Sequence, residues 1–179
     1  MKNLVDRDLV AQAAAGSRDA FATIVRAHYD AIYRMAWRWV GSREDAEDVA
    51  QNVCVGLAKA IRSFRGDSEF STWLFRLTYN ASLDFLRSRK RSARSHEPEV
   101  VVLFERPAGA SPEANAIETE LWKEVRNLPG QQRDAVLLVY AEDMTHADAA
   151  RVMGCSAKTV SWHLHEARKR LKTRLQEAG

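Results

Sequence analysis

The chain has 179 residues, of which 46% are hydrophobic and 28% charged, and its formal net charge is +3. This composition excludes a disordered chain and provides enough apolar material for one ordinary domain or two small ones. No apolar run is long enough to cross a bilayer, and the first ten residues lack the apolar core of a signal peptide, so we expect a cytoplasmic protein.

The amino-terminal half is predicted to form four helices joined by brief connections. Proline is absent before Pro98, and Gly16, Gly41 and Gly66 fall where one periodic segment gives way to the next. The predicted helices span about residues 6–15, 18–40, 43–63 and 69–90. Short connections between them favour a compact four-helix bundle over residues 1–94.

The fourth predicted helix has an apolar face and a cationic face. A projection at about 100° per residue places on the apolar side Phe70, Leu74, Leu77 and Ala81. The opposite side gathers Arg76, Asn80, Arg87 and Arg91, with Trp73 at its border. Arginines beside an aromatic ring suit the phosphates and bases of a nucleic-acid strand. The helix dipole would explain the cations of residues 89–91 at the helix end, but not Arg76.

Residues 95–111 are predicted to form a flexible acidic linker without helical periodicity. The region from Glu97 to Glu120 contains six glutamates against one arginine. Its apolar run, Val100 to Phe104, is compatible with a short strand or with a docking segment, and the sequence leaves that choice open.

Residues 112–179 are predicted to form a second helical domain. Ser111-Pro112 has the form of a helix start, and Pro129-Gly130 precedes a helix that runs to about Glu142. A capping box opens the next, short helix at Thr145, and Ser156 caps a last helix that runs to about Leu175. The three-residue connection between these two helices is typical of a helix-turn-helix.

The last predicted helix also has two faces. The side expected to be buried carries Val160, Leu164, Ala167 and Leu171, and the opposite side carries Lys158, Trp162, His165, Glu166 and Lys169. A tryptophan that points away from the core is costly unless something covers it. This favours a DNA-reading surface over a solvated face with a Glu166–Arg170 ion pair. Phosphate contacts would come from Arg168, Lys169, Arg170, Lys172 and Arg174.

These features together resemble the bacterial RNA polymerase sigma factors of the extracytoplasmic-function (ECF) class. The resemblance rests on GSRDAFATIVRAHYDAIYRMAWR, EDAEDVAQNV and FRGDSEFSTWLFRLTYNASLDFLR, and in the carboxyl-terminal half on LPGQQRDAVLLVYAEDMTHADAARVMGCSAKTV. It implies an all-α fold of two small helical domains, sigma region 2 over residues 1–94 and sigma region 4 over residues 112–179.

In region 2 the resemblance implies two binding surfaces. The residues that match the family's clamp-binding helix, which holds core RNA polymerase, are Asp45, Glu47, Asp48, Val49 and Gln51. Those that match the parts contacting the melted minus-ten element are Arg65, Asp67, Ser68, Thr72, Trp73, Arg76, Asn80, Arg87 and Arg91. Asp84 could instead orient an arginine. Independently, Ser42 and Asp45 have the form of a capping box, which explains acidic residues at this helix start without any partner.

In region 4 the resemblance implies a helix that reads the minus-thirty-five element in the major groove. The matching positions are Lys158, Thr159, Ser161, Trp162, His163, His165, Glu166 and Lys169. Many relatives carry basic residues at Ser161, His163 and Glu166, so the resemblance does not imply the promoter sequence. Because a carboxylate can accept a hydrogen bond from the cytosine amino group, we hypothesise that Glu166 reads a cytosine.

The implied partners are core RNA polymerase (clamp and flap), promoter DNA and an anti-sigma protein. No cofactor, metal, small-molecule substrate, membrane insertion or catalytic activity is expected. The linker would run toward the polymerase's RNA exit path, where it either mimics RNA or serves as a solvated tether.

Two other classes of function compete with this interpretation. A free-standing DNA-binding regulator would use the helix-turn-helix alone, which leaves the cationic face of the fourth helix without a role. An enzyme with a metal site in Glu44–Asp48 would need a second carboxylate motif to complete the site, which the sequence does not offer, and helix capping already explains this cluster.

Overall fold

The structure, a computed structural model, describes residues 7–93, 121–122 and 124–177. All regular secondary structure in these ranges is helical, which confirms the predicted all-α fold. The chain divides into two compact units, one within Met1–Glu105 and the other within Arg106–Gly179. The predicted linker, the run from Val100 to Phe104 and the helix start at Ser111-Pro112 lie outside the described residues. In the described ranges, no helix is both long and apolar enough to span a bilayer.

The first unit is a bundle built around its second helix. Its elements are α1 (Arg7–Ala14), α2 (Arg18–Val40), α3 (Arg43–Ala60), a 3₁₀ turn (Ile61–Ser63) and α4 (Phe70–Ala93). The α2 helix packs against α1, α3 and α4, and α3 also packs against α4. Residues at helical spacing on α2, among them Ile24, Ile32 and Met35, are buried in the shared core, as the periodicity predicts.

Local side-chain chemistry fixes the predicted helix boundaries. Ser42 Oγ accepts a hydrogen bond from the Asp45 N–H at 3.2 Å, so the predicted cap of α3 is confirmed. The α2 helix ends at Gly41, whose φ of 80° is a left-handed conformation that costs glycine little. The end of α2 and the start of α3 are therefore set by two adjacent residues.

The second unit contains the predicted helix-turn-helix. Residues 121–122 and 124–126 are helical, followed by α5 (Gly130–Val136), α6 (His146–Met153) and α7 (Ala157–Glu177). Thr145 Oγ1 caps α6 by accepting from the Asp148 N–H at 3.1 Å, and Ser156 Oγ accepts from the Thr159 N–H at 3.1 Å at the start of α7. Between these helices, Gly154 has a φ of 70°. The α7 helix packs against both α5 and α6.

The helix predicted to run to about Glu142 changes its winding before that residue. After Val136 it continues as a π-helical segment over Leu137–Ala141, and the Glu142 N–H donates to the Leu137 carbonyl at 3.0 Å. Residues 134–138 are all buried, and five consecutive residues cover more than one face of a helix. The junction between α5 and the π-helical segment is therefore covered on more than one side.

A buried histidine lies in the first core. His28 on α2 is 0% exposed, its ring centroid lies 5.6 Å from that of Phe70, and neither ring nitrogen has a hydrogen-bond partner among the described residues. Burial lowers the pKa of His28 from its ordinary value of 6.5, because the site does not solvate a charged ring. The folded unit therefore holds a neutral imidazole.

We expect His28 to make the first unit less stable in mild acid. As pH falls through 6.5, the unfolded chain takes up a proton that the folded unit resists, so the free energy of unfolding decreases. The loss is at most ~1.4 kcal/mol per pH unit and levels off below the lowered pKa. Urea titrations of the full chain at several pH values, followed by the NMR signals of α2, should show a smaller loss for His28→Leu. An equal loss in both proteins would contradict this assignment.

Candidate polymerase and nucleic-acid interfaces

The predicted polymerase-binding residues of α3 do not share one environment. Asp48 and Gln51 are exposed, whereas the carboxylates of Asp45 and Glu47 pair with arginines of the same unit, Arg89 for Asp45 and Arg43 for Glu47. These pairs neutralise two of the four acidic residues in the cluster, and Asp45 holds α3 to α4 through its arginine. The free part of the predicted surface is its Asp48–Gln51 side.

The prediction of a direct polymerase contact by Val49 is wrong. Val49 is 1% exposed and belongs to the buried stripe of α3 with Ala46, Ala50 and Val53. These positions follow the three- and four-residue spacing of one helix face, which here faces the core.

Sequence reasoning missed an apolar residue on the exposed side of α3. Val55 is 64% exposed. It follows Gln51 by one helical turn and Asp48 by two, so all three share a face, and Lys59 continues that face as another exposed residue. That spacing was available in the sequence and predicts a mixed polar and apolar patch. We call Asp48, Gln51, Val55 and Lys59 the α3 patch.

On α4, the predicted strand-binding side chains point outward. Arg76, Asn80, Arg87 and Arg91 are all exposed. Arg87 donates to Asp84 at 2.9 Å, so the alternative role for Asp84, orienting an arginine, agrees with the geometry. This leaves Arg91 near the helix end, and Arg76 and Asn80, one helical turn apart, as accessible cationic and hydrogen-bonding groups.

The loop before α4 is held by aromatic rings at both ends. Phe64 contacts Phe70 and Trp73 with ring centroids 5.4 and 5.2 Å away, and Trp73 is half-buried as a result. Between these rings, Arg65 and Asp67 are exposed and Ser68 is half-buried. The exposed residues thus lie on a short loop whose ends are anchored in the core.

Thr72 was predicted to contact DNA, and that prediction is wrong for this structure. Thr72 is 8% exposed and lies in helical register with the buried Phe75 and Tyr79. Its threonine side chain is therefore part of the packed face of α4.

On α7, the exposed face matches the predicted DNA-reading side. Trp162 is 56% exposed, and Lys158, His165 and Lys169 are also exposed. Glu166 and Thr159 are half-buried, and Thr159 belongs to the helix cap. The helix buries Val160, Leu164 and Ala167, with Leu171 half-buried, so the predicted core face is confirmed.

His163 was also predicted to contact DNA, and it is buried instead. It is 6% exposed, because it follows Val160 by three residues and precedes Ala167 by four on the core face. Its ring lies 4.9 Å from the Trp162 ring, centroid to centroid, at an interplanar angle of 62°. The buried His163 ring thus contacts the exposed Trp162 ring.

Two of the cations proposed for phosphate contact bond within their own unit. Arg174 pairs with Glu124 at 3.0 Å, and Arg168 donates to the Tyr140 hydroxyl at 3.1 Å. Lys169, Arg170 and Lys172 remain exposed. The Arg174 charge is therefore paired within the unit, whereas the bond to the neutral Tyr140 hydroxyl leaves Arg168 charged.

Both cysteines are free and half-buried. Burial raises the pKa of the thiols of Cys54 and Cys155, which keeps them in the less reactive protonated form. In the ranges the structure describes, no three His, Cys, Asp or Glu side chains are grouped as metal ligands would be.

Known proteins match both units. The family described as Sigma-70 region 2 matches residues 24–92, and Sigma-70, region 4 matches residues 118–171. The ECF RNA polymerase sigma factor SigM of Mycobacterium tuberculosis is 34% identical over 166 residues, covering 93% of this chain and 82% of SigM. The chain belongs to the ECF RNA polymerase sigma factors.

Solved structures agree with this ECF sigma factor in fold. CnrH, solved in complex with the cytosolic domain of CnrY, superposes with a TM-score of 0.71 at 28% identity, covering 97% of this chain and 99% of CnrH. The sigma factor RpoE of Bartonella quintana, solved with the anti-sigma factor NepR, gives a TM-score of 0.72 at 24% identity, covering 87% and 96% of the two chains. The ECF sigma factor described here is thus a transcription initiation factor with regions 2 and 4.

Proposed function

We propose that this ECF sigma factor uses three separate surfaces to start transcription at specific promoters. The α3 patch binds the clamp of core RNA polymerase. Arg76 and Asn80 on α4, with the loop at Arg65 and Asp67, hold the separated strand of the minus-ten element. The exposed face of α7 around Trp162 reads the minus-thirty-five element as duplex, and region 4 also contacts the flap.

One observation carries the nucleic-acid part of this proposal. After both cores are filled, Arg76 and Asn80 on α4 and Trp162 on α7 still point outward. An exposed arginine and asparagine one turn apart suit a single strand, whereas a tryptophan flanked by lysines on a helix-turn-helix suits a groove. The exposed faces alone do not define the promoter sequence. Within it, we propose that Glu166 reads a cytosine.

We propose that the protein has no catalytic activity and acts in the bacterial cytoplasm, where polymerase and promoters are found. Two of the four acidic residues that a metal-dependent enzyme would use at the start of α3 are already paired with arginines. Asp45 and Glu47 pair with Arg89 and Arg43. Their observed role is to join helices and to support a helix start.

We further propose that an anti-sigma protein controls this factor. Anti-sigma control is usual in the ECF class, and CnrH, which shares 28% identity with this chain, has been solved with the cytosolic domain of CnrY. A partner of this kind would compete with polymerase for the surfaces described above.

The proposal as a whole is tested by reconstitution. The purified chain is mixed with core RNA polymerase and fragmented genomic DNA, and the 5′ ends of the transcripts are sequenced. We expect a discrete set of starts that share upstream elements and require the added chain. The same starts without the chain, or no defined starts with it, would refute the proposed function.

A further inference from the structure

A hydrogen bond joins the two helices of the helix-turn-helix at their outer edge. His146 is the first residue of α6, and its Nδ1 lies 2.9 Å from Ser161 Oγ on α7. Ser161 Oγ also lies 3.0 Å from the carbonyl oxygen of Ala157, one turn earlier in α7. Both His146 and Ser161 are exposed, so this bond lies at the surface of the unit, outside the core that α6 and α7 share.

The chemistry of the serine hydroxyl decides the direction of the bond. A hydroxyl has a single proton, and the Ala157 carbonyl can only accept, so Ser161 donates to Ala157. Toward His146 the same oxygen must therefore accept, which places a proton on Nδ1 of the imidazole. Its proton is then committed to Ala157, so Ser161 has no donor left for a base acceptor or a phosphate, and one acceptor lone pair remains.

We propose that His146 is a positioning residue for promoter reading, which acts through its hydrogen bond to Ser161, and that Ser161 donates no hydrogen bond to DNA. This inference rests on the proposed role of α7 in the minus-thirty-five element, and it revises the role predicted for Ser161. Ser161 is next to Trp162 and one turn after Lys158. The hydrogen bond from His146 therefore fixes the part of α7 that carries these outward side chains. This hydrogen bond connects α6 and α7 at their exposed edge, in addition to the packing between the two helices.

Replacing His146 by asparagine or by glutamine separates the effect of its hydrogen bond to Ser161 from other roles of the side chain. In His146→Asn the amide nitrogen can occupy the position of Nδ1 and donate to Ser161. In His146→Gln the amide reaches toward the position of Nε2 instead. Ser161→Ala removes the acceptor, and Thr173→Ala is a matched control, since Thr173 also donates to the carbonyl one turn earlier, that of Lys169, on the same helix.

The experiment measures discrimination by the full chain bound to core polymerase. The readout is the affinity for a promoter with its selected upstream element relative to promoters with single base changes in that element. An ordinary neutral hydrogen bond corresponds to about two- to tenfold in an equilibrium constant. We expect His146→Gln and Ser161→Ala each to lower discrimination by about that factor. His146→Asn and Thr173→Ala should retain it, and the double variant His146→Gln/Ser161→Ala should be no worse than either single variant.

Two results would overturn the inference. Additive losses in the double variant would show that the two residues act separately, and a changed base preference in Ser161→Ala alone would show that Ser161 reads a base. The ¹⁵N chemical shifts of the His146 ring in the free chain give a readout that needs no promoter. They should report a proton on Nδ1 in the wild type and a weaker Nδ1 preference in Ser161→Ala. If the ¹⁵N shifts of the His146 ring are unchanged in Ser161→Ala, the hydrogen bond to Ser161 is refuted. Failure of the proposed function would appear only in the transcription assay.

Discussion

Val55→Asp is expected to lower the affinity for core RNA polymerase by about thirtyfold or more. Val55 is an apolar side chain that is 64% exposed, in line with the polar Asp48 and Gln51. An apolar residue at the centre of a polar patch is the arrangement of an interface anchor, and such anchors contribute about 2 kcal/mol or more to binding. An aspartate there would lose the apolar contact and bring an unpaired charge into the interface.

The measurement is a titration of fluorescently labelled chain with core polymerase. Because Val55 makes little contact with its own unit, the substitution should leave the helical circular dichroism and the urea midpoint unchanged. Ala11→Asp is the matched control, since Ala11 is an exposed apolar residue of α1 that receives the same charge. Affinities of Val55→Asp and Ala11→Asp that agree within twofold would place the polymerase contact elsewhere.

Trp162→Ala is expected to reduce binding to the upstream element by about tenfold to thirtyfold. The indole is 56% exposed, and its ring contacts the buried ring of the neighbouring His163. Tryptophan is enriched among residues that dominate binding energy, and its loss at a filled contact costs about 2 kcal/mol. The loss should appear only on promoters that carry the upstream element.

Tyr140→Ala is the control for this prediction. Tyr140 is an aromatic residue of the same unit with a similar exposure, 58%, but it lies on the π-helical segment and not on α7. Because Arg168 of α7 donates to the Tyr140 hydroxyl, Tyr140→Ala can change the affinity for both promoters, but it should keep the wild-type ratio of the affinities with and without the element. If Trp162→Ala weakens binding to both promoters equally, the tryptophan does not read the element.

The helices and their boundaries could be predicted because short-range chemistry determines them. Serine or threonine caps at Ser42, Thr145 and Ser156, and the left-handed glycines at Gly41 and Gly154, act over three or four residues of sequence. The π-helical segment at Leu137–Ala141 was not predictable in this way, because neither a side-chain cap nor a glycine marks the change in winding.

Some residues on the buried helix faces are polar, and a rule that places every polar residue at the surface does not predict them. Thr78 and Ser82 on α4 are 1% and 0% exposed, and each hydroxyl is satisfied by the carbonyl one turn earlier, at 3.0 and 2.9 Å. Thr72 and His163 were assigned to DNA from the family resemblance, and they too are buried. Their spacing from apolar core residues was the better signal.

Contacts between residues that are distant in the sequence could not be predicted either. Arg89 pairs with Asp45, so a cation assigned to the end of one helix and an acid assigned to polymerase binding instead hold α3 and α4 together. Likewise, nothing local to His146 predicts its bond to Ser161, which lies on the next helix. Such pairs require the three-dimensional arrangement of the helices.

The central claim is that α4 holds a separated promoter strand while α7 binds duplex, and permanganate footprinting of open complexes tests it most directly. Thymines become reactive only where the duplex is open. We predict that holoenzyme with Arg76→Ala/Asn80→Ala still protects the upstream duplex but shows little or no thymine reactivity at the minus-ten element. Arg26→Ala, which removes an exposed arginine of α2, should show both signals. Full thymine reactivity in the Arg76→Ala/Asn80→Ala holoenzyme would contradict the account.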